Sequence, residues 1–133
     1  MNANCAPEPW SVREGMIHCT GRHTGALRTT RQYENFILEV EWRHLSRGGN
    51  SGVFICGTPI AAPAVPFLRG IEVQVLDHDL YSVTAKGSEI VVKLGKKESQ
   101  RVHLPAGAKA RGPFGLRDNG AAKELMNLYA REL

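Results

Sequence analysis

The segment Asn35 to Arg43 constrains the fold most strongly. Phe36, Leu38, Val40 and Trp42 alternate with Asn35, Ile37, Glu39, Glu41 and Arg43. A period of two sends successive side chains to opposite faces, whereas a helix would group positions three and four apart. The segment therefore reads as a strand with one dry face and one mostly polar face. Ile71, Val73 and Val75 alternate in the same way with Glu72 and Gln74, while Gly52 to Cys56 is apolar on both sides, as a central sandwich strand can be. Turn chemistry punctuates the rest. Glu14-Gly15 splits Trp10 to Thr20 into a hairpin, and Arg47-Gly48-Gly49-Asn50 separates two strands. Lys86-Gly87, Leu94-Gly95-Lys96 and Asp118-Asn119-Gly120 set off Glu89 to Leu94, Gln100 to Leu104, Pro113 to Arg117 and Ala122 to Arg131. Short strands with regular Gly-bearing turns predict an all-β, antiparallel sandwich or barrel, of which a jelly-roll sandwich is the favoured reading.

Two stretches need separate treatment. Ala61 to Pro66 is too rich in proline for a central strand and is expected to be a loop. The last segment is rich in helix formers. Its alternation nevertheless predicts a strand, with Met126, Leu128 and Ala130 inward and Asn127, Tyr129 and Arg131 outward.

With 133 residues the chain suits one domain spanning 1–133, with one core. Hydrophobic residues make up 42% and no block of like charge interrupts them, which excludes a disordered class. The net charge of +4 is spread along the chain, with Lys93, Lys96 and Lys97 as its nearest approach to a cluster, so no nucleic-acid partner is expected. No apolar run is long enough to cross a bilayer, so no membrane partner is expected either. The N-terminus has no basic, then apolar, leader pattern, which makes the cytoplasm the default location. Three cysteines without CxxC spacing read as ordinary thiols. Adjacent His18 and Cys19 point to opposite faces of a strand, and Asp77-His78-Asp79 offers too few ligands. No metal and no cofactor are expected.

Were Asn35 to Arg43 and Gly70 to Asp77 to lie in one sheet, Glu39, Glu41, Arg43, Glu72 and Gln74 would share one surface. Carboxylates and amides there would suit the vicinal hydroxyls of a sugar; the plainer alternative is a solvated sheet face. Within Glu72-x-Gln74-x-x-Asp77, two carboxyls flank a polar residue, an arrangement that serves acid and base roles in glycosidic cleavage. Strict alternation sends Asp77 to the opposite face from Glu72, so a joint role needs a bulge or the strand's end. Trp42 shares the face of Phe36, Leu38 and Val40 and is expected in the core.

The ordered series Trp10…Glu14-Gly15…Cys19, Tyr33-Glu-Asn35-Phe36…Glu41-Trp42-Arg43, Gly49-Asn50-Ser51-Gly52-Val53-Phe54 and Gly70-Ile-Glu72-Val-Gln74-Val-Leu-Asp77 resembles the 3-keto-disaccharide hydrolase domain family. Lys86-Gly87…Leu94-Gly95-Lys96 and Glu124 to Leu133 are similar to the end of that domain. The strand also resembles the E-x-D-x-x-E strand of laminarinase-type glycosidases, with Gln for the middle Asp and Asp for the second Glu. The family resemblance implies a concanavalin-like jelly roll that cleaves glycosides oxidised at C3, and relatives that are often exported. It implies Glu72 as base, Asp77 as its catalytic partner, and Arg43, Glu41, Asn50, Gln74 and His78 as substrate contacts, with His78 an alternative partner to Asp77. The family's long segment after this strand is absent here. Its absence leaves open a non-catalytic carbohydrate-binding or structural sandwich, and an uncovered sheet edge through which a homodimer could form.

Overall fold

The computed structural model describes residues 2–3, 8–58, 68–76 and 79–133. Asp77, His78 and the stretch Ala61 to Pro66 lie outside the described residues. All regular structure among the described residues is β. In chain order the strands are β1 Asn2–Ala3, β2 Trp10–Arg13, β3 Met16–Cys19, β4 Thr24–Arg28, β5 Phe36–His44 and β6 Asn50–Ile55. They continue as β7 Ile71–Leu76, β8 Asp79–Lys86, β9 Glu89–Leu94, β10 Lys97–His103, β11 Gly115–Asn119 and β12 Lys123–Glu132. A five-stranded sheet runs β1-β4-β11-β6-β7, and a seven-stranded sheet runs β10-β9-β8-β5-β12-β3-β2. The pairings are antiparallel throughout.

The alternation read from the sequence sets what each sheet buries. From β5, Phe36, Leu38, Val40 and Trp42 enter the core and meet Val53, Ile55, Val73, Val75 and Leu116 of the opposite sheet. This is the jelly-roll, concanavalin-like sandwich expected of the sequence. Strand β12 is indeed a strand and not a helix.

One expectation is overturned. Strand β5 lies in the seven-stranded sheet and β7 in the five-stranded sheet. Both turn apolar sides to the same core from opposite directions, so their polar sides face solvent on opposite surfaces. Arg43, Glu41 and Glu39 therefore do not share a surface with Glu72 and Gln74. A second correction concerns Met126, which pairs with outward-facing Glu41 and so faces outward itself. A register shift between Met126 and Tyr129 re-aims the residues beyond it, with Asn127 in the left-handed region at φ 48°.

Two buried polar ties join the sheets. His44 Nε2 donates to the Val75 carbonyl at 2.8 Å, linking β5 to β7. Gly49 folds against that ring, since a Cβ there would come within 2.3 Å of His44 Cγ. The second tie sets the Lys123 ammonium 3.9 Å from Asp118, with both side chains inaccessible to solvent. Lys123 also donates to the Ala121 carbonyl at 2.9 Å. Burial lowers the Lys123 pKa, and it pushes the neighbouring Cys19 thiol up to about 11.

Candidate functional site

The outer face of the five-stranded sheet is built from alternate residues of four strands. In the ladder between β6 and β7, Asn50 stands opposite Leu76, Gly52 opposite Gln74, and Phe54 opposite Glu72. Residues directly opposite share a face, so these six positions face away from the core. On the far side of β6, Gly115 stands opposite Phe54, and in β11 Arg117 is two residues on, hence on the same face. Strand β4 adds Arg28 opposite Gly115 and Ala26 opposite Arg117.

Glycine in the middle of this grid decides what the charged residues do. Because Gly52 has no side chain, Arg117 and Glu72 meet above it, with Arg117 Nη1 donating to Glu72 Oε1 at 2.9 Å. A Cβ at Gly52 would lie 2.0 Å from that same oxygen. Both side chains are largely covered, with 23% and 22% of their surface accessible. At the Cys56 end of the face, Phe54 is buried beside Leu68, whose Cδ1 lies 2.6 Å from where a Gly115 Cβ would be. At the other end Gln74 and Asn50 are exposed. The result is a fixed carboxylate with a guanidinium beside it, an apolar wall on one side and two open amides on the other.

Of the residues expected at the site, Glu72, Gln74 and Asn50 come together here. Arg43 and Glu41 do not. Arg43 pairs with Glu124 on the outer face of the seven-stranded sheet, where Glu124 also meets His18 Nδ1 at 3.1 Å. Glu41 accepts a 2.6 Å hydrogen bond from Asn127 on that same face. Arg117 was not anticipated, because only the pairing of β11 with β6 brings it to Glu72, and that pairing leaves no trace in local sequence. Near the start of β7 an open cavity of about 370 Å³ is lined by Cys56, Arg69, Ile71, Leu104, Pro105 and Lys109, among others. It contains none of Asn50, Glu72, Gln74 or Arg117.

A carboxylate held over a glycine, next to exposed amides, is equipped to accept a proton or a sugar hydroxyl. Residues 2–81 match the model of the 3-keto-alpha-glucoside-1,2-lyase-like domain. The chain belongs to this family. None of the curated proteins matches it. Among solved structures it is similar to a candidate glycosyl hydrolase of Parabacteroides distasonis, at 18% identity and TM-score 0.76, covering 99% of this chain and 94% of that one. It is also similar to the carbohydrate-binding module CBM66 of Bacillus subtilis, at 11% identity and TM-score 0.70, covering 92% and 91%. A β-1,3-1,4-glucanase from a mouse hindgut metagenome aligns at 11% identity and TM-score 0.64, covering 96% and 85%. The family and its neighbours thus share a jelly roll that glycoside hydrolases and carbohydrate-binding modules both use.

Proposed function

We propose that this chain binds a 3-keto-glycoside on the outer face of the five-stranded sheet and cleaves its glycosidic bond by elimination. The observation that carries this reading is the Glu72 carboxylate, fixed above Gly52 by Arg117 on strand β7, within the residues that match the family. A ketone at C3 acidifies the proton on C2. Glu72 takes that proton, the electron pair forms the C1–C2 double bond, and the bond from C1 to the leaving oxygen breaks. The leaving oxygen collects a proton from Asp77 or His78, or from water. Water then adds across the double bond: its hydroxyl goes to C1, the proton held by Glu72 returns to C2, and the water's remaining proton restores the group that protonated the leaving oxygen. The Arg117 guanidinium stands beside the carboxylate and balances the negative charge that develops on the enolate. Gln74 and Asn50 contact the sugar hydroxyls.

The lyase named in the family description fits elimination across C1 and C2 better than the double displacement of laminarinase-type enzymes. Gln74 stands where that mechanism has an aspartate. Incubation with a 3-keto-α-glucoside should release its aglycone, with transient absorbance from the conjugated enone. Folded protein that releases none with any 3-keto-glycoside would refute catalysis and leave a carbohydrate-binding sandwich.

A further inference from the structure

The residues that the five-stranded face leaves unused gather on the opposite surface of the sandwich. Strand β3 pairs with β12 only from Lys123 to Leu125, and the β2–β3 hairpin turns at Glu14-Gly15. Beyond that point β12 continues along β5 without a strand on its other flank among the described residues. The bulge between Met126 and Tyr129 falls at this step. It places Tyr129 opposite Glu39 on the outer face, where the tyrosine is 63% exposed. Asn127, in the left-handed conformation, turns its amide to Glu41 at 2.6 Å, and the Tyr129 hydroxyl lies 3.5 Å from the Asn127 carbonyl oxygen. Glu39 is exposed and has no hydrogen-bond or ion-pair partner among the described residues.

We propose that Tyr129, Asn127, Glu41 and Glu39 form a second saccharide-binding surface, which holds a glucan chain without cleaving it. An exposed aromatic ring offers a flat apolar surface to the C–H face of a pyranose. Glu39, opposite Tyr129 in the ladder, and the second Glu41 oxygen supply acceptors for hydroxyl pairs. Asn127 locks Glu41 in place, so that acceptor is ordered before ligand arrives and less rotamer freedom is lost on binding. A bulge that strains a non-glycine residue in order to re-aim side chains is the kind of feature found beside binding sites. The surface lies across the full thickness of the sandwich from Glu72, so one glycan could be held there while another molecule reacts. The inference rests on the saccharide reading of the chain but not on Glu72 being a catalyst.

Affinity electrophoresis through gels containing a soluble α-glucan or a soluble β-glucan separates the two claims. The unaltered protein and Glu72→Gln should both be retarded by at least one glucan. Tyr129→Ala should bind that glucan about tenfold more weakly, with an unchanged melting temperature. Tyr129→Phe should keep most of the retardation, since it retains the ring. Because Tyr129 is exposed, its truncation leaves the core intact, and turnover of a small 3-keto-glycoside by Tyr129→Ala should match that of the parent. Retardation of Tyr129→Ala equal to the parent's, its loss in Glu72→Gln instead, or no retardation of the parent by either glucan would overturn the proposal. Failure of turnover with retardation intact would refute the catalytic reading alone.

Discussion

Gly52→Ala should separate the placement of Glu72 from the stability of the fold. The added Cβ would lie 2.0 Å from Glu72 Oε1 and 2.6 Å from both Cδ and Cγ. Ordinary carbon contacts begin above 3 Å, so the carboxylate has to retreat by about 1 Å or more. It can do so because the obstructed group is the end of a flexible side chain. Breaking its bond to Arg117 costs about 1 kcal/mol or less, since the pair is partly exposed. Replacing a strand glycine by alanine returns about 0.5–1 kcal/mol of chain entropy. The two effects nearly cancel, and the melting temperature should move by no more than a few degrees. A misplacement of about 1 Å, however, lowers the rate by about 10²-fold. Paired melting curves and turnover measurements on a 3-keto-glucoside would read both quantities. An alanine variant with parental turnover would refute the reasoning, because Glu72's position above Gly52 would then not matter.

Gly49→Ala should behave oppositely, because its Cβ would strike the buried His44 ring, which is tied to Val75 and has little room to move. A loss of about 1–3 kcal/mol in urea unfolding is expected, with KM unaffected. Lys123→Met strands the Asp118 carboxylate in the core and should cost about 3–5 kcal/mol, most of it restored when Asp118→Leu is added. Cys19 keeps its proton in the folded state to about pH 11, against a normal value of 9.0. Its contribution is therefore complete below pH 9 and fades as pH rises through 11. Relative to Cys19→Ser, in which the opposing Lys123 titration largely cancels, the parent should lose about 2–3 kcal/mol across that range. We also propose that the β7 edge, where Leu76 is exposed, pairs with its copy. Sedimentation equilibrium showing only a 14.6 kDa species would refute this dimer.

The sequence was most informative where structure is local. Alternation identified β5 and β7 and the side each turns to the core, and the turn glycines Gly15, Gly87 and Gly95 fell between strands as expected, with Lys86 and Leu94 ending the strands before them. The final strand was legible too, although its bulge was not. Strict alternation misplaced Met126, because a single irregularity inverts the facing of everything on one side of it. What alternation could not reveal is the sheet each strand joins. Phe36 and Val73 reach one core from opposite sides, and that relation depends on pairings between segments distant in the chain. For the same reason Glu41 and Arg43 were grouped with Glu72 although a core separates them, while Arg117, 45 residues from Glu72, went unnoticed. Nothing in the local pattern marks Lys123 as buried. Its burial beside Asp118 follows from the cross-sheet packing alone.

The proposed sugar chemistry takes place over Gly52, between Glu72 and Arg117. A crystal structure of Glu72→Gln soaked with a 3-keto-α-glucoside tests it directly. The sugar should lie on the outer face of the five-stranded sheet, its C2 within about 3.5 Å of the residue 72 side chain and its hydroxyls reached by Gln74 and Asn50. Sugar bound in the cavity beside Arg69 and Lys109 instead, with the Gly52 surface empty at saturating ligand, would contradict it.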